Sequence, residues 1–291
     1  MYSTTKTYLI LFAGVFALST SAIFVKIAEA PSAVIAFYRL LIAGLVLLPL
    51  LLFSKHSRIE LQQLTLKQGK QIIAAGFFLA LHYVLWFESL NYTSIASSTM
   101  IVCLQPLFSL ALDRFISNKV ITRNAISGCT IALIGCAIIG WGDFQISGQS
   151  LWGDILAFIA GGVIALYFFV GETVRKEISA ITYSVLSYLI SALLLMLYIT
   201  LNDISFVGYT QQTWQAFIGL ALISTIGGQF VFNLLLKNVP ASAVTMAILG
   251  EPICTCVLAY FILHEVIATQ QLVGMVIIML GMAIYFRKTS E

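Results

Sequence analysis

Apolar residues run along this chain in stretches of roughly 17 to 23, separated by short polar or charged breaks, and that length crosses about 30 Å of hydrocarbon at about 1.5 Å per helical residue. The stretches fall at 8–28, 33–53, 72–90, 94–113, 124–141, 152–173, 181–200, 214–234, 241–262 and 270–286. In lipid each backbone N–H and C=O must be satisfied within its own segment, so each stretch predicts a helix. The expectation is an all-α integral membrane fold of ten transmembrane helices, the first retained as a helix because no small-residue cleavage site follows it.

The breaks carry an orientation signal. Lys6, then Lys55, Arg58, Lys67 and Lys70, then Arg114, Lys119 and Arg123 fall on alternate loops, and the series continues with Arg175, Lys176, Lys237, Arg287 and Lys288. Lys26 stands on the other side, and Arg39 lies within a span. Basic loops stay in the cytoplasm, so both termini are expected there.

Laying residue 106 on residue 252 aligns the two halves without gaps for about fifty residues, a register that sets Pro106 on Pro252, Thr99 and Met100 on Thr245 and Met246, and Gly128 and Gly135 on Gly274 and Gly281. An odd number of spans per repeat makes the second enter from the opposite side, so the halves are expected to be two inverted five-helix repeats, 8–141 and 152–286. Such repeats suit alternating access around a site near the midplane. Glycines seven residues apart on one face of the fifth and tenth spans predict close helix packing there, with a dimer contact as the alternative.

Composition agrees. Of 291 residues 60% are apolar and 9% charged, against about 25% charged for a soluble chain. No continuous basic face for nucleic acid is visible. The five cysteines, Cys103, Cys129, Cys136, Cys254 and Cys256, all fall inside apolar stretches without metal-ligand spacing and read as small hydrophobes in helix packing. No metal or cofactor is expected. Walker, Gly-x-Ser-x-Gly and His-Glu-x-x-His signatures are absent, so the chain is not read as an enzyme.

Polar groups inside a span are costly, about 2.5 to 3.5 kcal/mol for a central Arg, Lys or Asp on the insertion scale, so they should face protein or water. Glu251 in Gly250-Glu251-Pro252 and Gln105 in Leu104-Gln105-Pro106 occupy the same slot of the two repeats. Each following proline frees the carbonyl four residues earlier, at Val102 and Ile248. Glu251 is the candidate for proton coupling, set against a neutral structural tie between helices. His82 and Trp86, four apart on one face of the third span, suit a solute with an apolar part, or else packed aromatics with a satisfied interhelical bond.

Gln229 and Asn233, four apart, and Tyr167 are further substrate-binding candidates, whereas Ser19, Thr20, Ser21, Ser97, Ser98 and Thr99 more simply bond their own backbone. Arg39 and Glu88, both expected in the outer third of the membrane, read as an ion pair or an outer gate. Glu172 precedes Arg175 and Lys176 by three and four residues, the spacing of a solvated local pair.

Together, Tyr38-Arg39-Leu40, Leu104-Gln105-Pro106 with Gly128 and Gly135, Ala165-Leu166-Tyr167, and Gly250-Glu251-Pro252 followed by Glu265, Gly274 and Gly281 resemble the EamA family of the drug/metabolite transporter superfamily, over essentially the whole chain. The resemblance implies that spans one to four and six to nine surround the cavity while five and ten sit apart. It also implies an exporter of amino acids or related metabolites in a bacterial plasma (inner) membrane. The first span shows Leu18-Ser19 where the family has Trp-Gly, and the carboxylate expected near Lys119 is missing. The alternative is a flippase for lipid-linked sugars. Expected partners are a small-molecule substrate and the lipid bilayer, with the chain a monomer or homodimer.

Overall fold

A computed structural model describes residues 4–93, 95–140, 148–264 and 267–287, which hold helices and no strand. In order they are α1 (Thr4–Ile27), α2 (Ser32–Phe53), α3 (Lys55–Gln62), α4 (Leu66–Ser89), α5 (Ile95–Val102), α6 (Gln105–Phe115), α7 (Arg123–Gly140), α8 (Gly148–Val174) and α9 (Ala180–Leu201). Then come α10 (Gln211–Gly219), a π-helical segment (Leu220–Phe230), α11 (Val231–Leu235), α12 (Ala241–Ile248), α13 (Glu251–Leu263) and α14 (Thr269–Phe286). Eight described helical stretches are long and apolar enough to cross a membrane, and Arg123–Ile139 is a shorter apolar helix. Their outward side chains are largely apolar, as on α14, where Leu272, Val273, Val276, Met279 and Leu280 are exposed. Such a surface is stable only against lipid.

The segment expected to cross at 94–113 is two short helices, α5 and α6, and that at 241–262 is likewise split into α12 and α13. Proline explains both breaks: Pro106 and Pro252 sit in the first turn of α6 and α13, where a missing N–H costs nothing, and the residues before them close a tighter turn. Leu104 N donates to Ile101 O at 3.0 Å, and Gly250 N donates to Ala247 O at 3.0 Å. These bonds are 146 residues apart, the register read from the sequence. Asn118 (φ 52°) and His264 (φ 56°), left-handed residues after α6 and α13, share that spacing. Glu265, part of the family resemblance, lies outside the described residues.

The chain forms two compact units: residues 1–84 with 166–241, and residues 85–165 with 242–291. In the first, α2 packs on α9 and α1 on the π-helical segment. Gly44 abuts Leu189 and Gly76 abuts Ile190, while Ser191 Oγ donates to Gly76 O at 2.7 Å. Small residues let these helices close where lipid supplies no hydrophobic drive for association. The π-helical segment contains Gly227-Gly228, and a Cβ at Gly228 would lie 3.0 Å from the Leu18 backbone N.

In the second unit α7 and α14 are packed along their lengths. A Cβ on Gly128 would lie 2.6 Å from Gly281 O, and one on Gly135 would lie 2.7 Å from Gly274 O. The glycines expected to pack do meet. Cys103, Cys129 and Cys136 are buried here with Leu110, Met246, Leu249 and Ile278, as small apolar side chains would be.

Outside the spans, α3 is tied to the start of α9. Glu60 accepts from Ser179 N (3.0 Å), Ser179 Oγ (2.6 Å) and Thr182 Oγ1 (2.6 Å), and His56 Nε2 lies 3.1 Å away. A carboxylate at a helix N-terminus is stabilised by the unpaired amides there. Burial pushes the Glu60 carboxyl up, but these donors outweigh it and hold the group below the ordinary value of 4.5. A carboxyl depressed by folding contributes stability above its unfolded pKa, and that contribution fades as pH falls through the folded one. The thermal stability of wild type in detergent should therefore weaken more than that of Glu60→Gln as pH falls below about 4.5. Parallel acid limbs for the two proteins would refute the tie.

Candidate functional site

In the first unit several buried polar residues are hydrogen-bonded around Asn233. Asn233, on α11, is fully buried. Its Nδ2 donates to the Tyr167 hydroxyl (2.7 Å) and Ser184 Oγ (2.9 Å), with the Tyr188 hydroxyl at 3.3 Å, and Tyr167 donates back to Asn233 Oδ1 at 3.1 Å. Tyr183 donates to Tyr167 O at 3.4 Å. Two of the sequence candidates, Tyr167 and Asn233, are thus hydrogen-bonded partners. Gln229, one turn before Asn233, is buried near the Tyr167 phenol, yet its Nε2 makes no hydrogen bond.

Arg39, on α2, is 2% exposed. Its Nε donates to Thr225 Oγ1 (3.1 Å) and Nη1 to Ser21 Oγ (3.2 Å), and its guanidinium carbon stands 5.2 Å from the centre of the Tyr83 ring. Nη2 has no partner. Thr225 can accept because its own proton goes to Leu220 O at 2.9 Å, a five-residue reach matching the π-helical backbone. π-helical turns recur at functional sites, where they re-aim side chains. Thr20 Oγ1 and Ser224 Oγ meet at 2.9 Å beside this group. Ser19 and Thr20 also bond their own backbone, at Val15 O and Ala17 O, as expected for hydroxyls in spans. His82 is buried with its ring centre 5.2 Å from that of Tyr83.

The second unit holds the remaining candidates. Gln105 is buried and Glu251 half-buried, each at the first residue of its helix after the break. Glu251 lies near the Cys103 thiol, which neighbours that of Cys136. The Trp86 ring stacks on Phe87 at 5.1 Å, and Glu88 Oε2 accepts from Asn91 Nδ2 at 3.2 Å. The Val102 carbonyl, freed by Pro106, faces Gly161 of α8, where a Cβ would stand 3.3 Å from it. The Ser97 and Thr93 hydroxyls both donate to Asp154 Oδ1, at 2.9 and 2.8 Å. Ser98 meets Ser89 at 2.6 Å.

Two charged groups, Glu172 and Arg175, sit differently from the expectation. Glu172 pairs locally with Lys176 as expected but is buried, not solvated, and its Oε2 accepts from Ala241 N at 2.8 Å, capping α12. Lys176 stands 3.9 Å from its other oxygen. Arg175 is 4% exposed and donates to main-chain oxygens of Asn233 (2.8 Å), Leu234 (3.5 Å) and Ile178, so it closes helix ends instead of pairing with Glu172. Burial lowers its pKa to about 10, which leaves it charged at neutral pH.

Lys119, which stands where the family resemblance expects a carboxylate nearby, pairs with Asp113 six residues earlier. Asp113 binds Lys119 Nζ at 2.7 Å and accepts from Ser242 Oγ at 2.6 Å. Asp113 and Asp154 escaped the sequence reading because each stands near the end of an apolar run, where a carboxylate looks solvated. The signal for Asp113 was the lysine within reach across a turn.

The EamA-like transporter family model matches the chain twice, over residues 5–141 and 151–287. An uncharacterized transporter of Bacillus subtilis, YwfM, is 25% identical over 248 residues, covering 85% of this chain and 81% of its own. A second from that organism, YyaM, is 26% identical, covering 84% and 81%. An uncharacterized transporter of Archaeoglobus fulgidus is 21% identical over 93% of both chains. One solved crystal structure superposes with a TM-score of 0.81 at 15% identity, over 98% of this chain and 97% of the other, which shows a shared fold. With its membrane-length helices and a family match across both halves, this chain is a multi-pass membrane protein that belongs to the EamA-like transporter family.

Proposed function

We propose that the chain is a secondary transporter that exports small metabolites such as amino acids by alternating access, in a bacterial plasma membrane with both termini cytoplasmic. One observation carries the reading: in the first unit, buried donors on membrane-spanning helices, Arg39 Nη2 and Gln229 Nε2, are left without partners. A scaffold helix gains nothing from such groups, since an unmatched buried donor costs about 1 to 3 kcal/mol. A solute that supplies acceptors offsets that cost. Family membership, the two family matches over 5–141 and 151–287, and the recurrence of helix breaks 146 residues apart support a two-repeat mechanism.

Candidates for solute contact are His82, Tyr167, Gln229 and Asn233 in the first unit and Trp86, Gln105 and Glu251 in the second. Glu251 is the residue proposed to couple transport to protons, because it is a half-buried carboxyl at a break in a spanning segment. The test is uptake into inside-out vesicles with an imposed proton gradient, using radiolabelled standard amino acids. Glu251→Gln should abolish accumulation against a gradient while leaving downhill exchange. Undiminished accumulation by that variant would remove Glu251 from the mechanism, and no movement of any solute by wild type would remove the transport reading.

A further inference from the structure

We propose that the solute carries a carboxylate, and that Arg39 is the group that binds it. This rests on the transport reading. Arg39 is a buried guanidinium on a membrane-spanning helix, and among the described residues of its own unit no carboxylate forms an ion pair with it. Its recorded hydrogen-bonding neighbours are neutral: the hydroxyls of Thr225 and Ser21, with the Tyr83 ring against it. Hydroxyls and a ring orient a guanidinium but leave its charge uncompensated. The Nη2 group, held in plane with Nε and Nη1 by those two bonds, remains as a free donor.

A planar fork with a fixed orientation fits a carboxylate, whose two oxygens accept parallel N–H bonds at one charge. A phosphate dianion would call for a second cation, and none is bonded into this cluster among the described residues of its unit. The hydroxyls that fix Arg39 come from α1 and from the π-helical segment, both of which carry glycines at their mutual contact. Binding there would bridge three elements of the unit. The rival is the outer pairing of Arg39 with Glu88, in which the protein supplies its own anion.

The decisive experiment measures thermal stabilisation of the purified full chain by matched probes: L-phenylalanine and L-leucine, 3-phenylpropionate, L-phenylalaninamide and phenylethylamine. The acids are expected to stabilise wild type and the amide and amine are not. Arg39→Lys keeps the charge but not the fork and should weaken acid binding by at least about tenfold, while Glu88→Gln should leave it unchanged. Equal stabilisation by acids and amides, no stabilisation by any acid, or Glu88→Gln abolishing acid binding would each overturn the proposal.

If the Arg39 variants do not fold, the acid-against-amide comparison on wild type still decides. Proteoliposome flux separates the two levels. Movement of amines or amides in preference to acids sinks the carboxylate and keeps the transporter, whereas no flux of any probe or standard amino acid sinks both.

Discussion

Replacing Gly281 by alanine is expected to destabilise the protein by about 2 to 3 kcal/mol, and by leucine more. The new Cβ would lie 2.4 Å from Ala132 N and 2.6 Å from Gly128 O, both main-chain atoms that cannot rotate aside. The helices would have to separate, and the contact between α7 and α14 depends on close backbone approach. Gly69→Ala is the matched control: nothing lies within 4 Å of its Cβ position, so a helix-favouring residue should be neutral or stabilise by about 0.5 kcal/mol. Thermal unfolding of the three proteins in one detergent reads the difference. An unfolding temperature for Gly281→Ala equal to wild type would mean that α7 and α14 do not pack as described.

Removing the Arg175 guanidinium should have an effect of similar size. Arg175→Gln leaves main-chain oxygens of Asn233, Leu234 and Ile178 short of a donor in a buried setting. The expected loss is about 3 kcal/mol, from two or more unsatisfied acceptors at about 1 to 3 kcal/mol each. Because the Asn233 carbonyl is one of them, the loss should spread to the Tyr167 network. Arg175→Lys, which restores one charged donor but not the fork, should recover part of it. The readouts are thermal unfolding and the near-ultraviolet signal of the buried tyrosines. A glutamine variant as stable as wild type, with that signal intact, would show that these carbonyls find other donors.

Much of the fold was legible in the chain. Membrane-length helices depend on a run of apolar residues and little else, so their positions followed from local hydropathy. The glycine contacts between α7 and α14 were legible for a similar reason, as a backbone constraint that one residue type imposes, and the prolines marked carbonyls freed at Val102 and Ile248. Yet the sequence reading expected one continuous span at 94–113, where α5 and α6 are separate helices, since hydropathy is blind to a helix break within an apolar run.

The polar groups were harder. Glu172 and Arg175 look like a surface pair at i, i+3 because spacing on one helix is the only geometry a sequence displays. Each also reaches a partner far along the chain, Ala241 at 69 residues and Asn233 at 58. Tyr167 and Asn233 were picked out as mid-span polar residues, but nothing in the chain says that they bond each other across 66 positions.

By itself, then, the sequence determined where the chain enters hydrocarbon and which glycines must lie against a neighbour, because these follow from solvation and backbone sterics within one turn of the residue concerned. Only the tertiary structure decided which buried polar groups are satisfied and which are not. A hydrogen bond depends on the direction and distance of a partner brought in from elsewhere, as with Arg39 and Thr225, 186 residues apart.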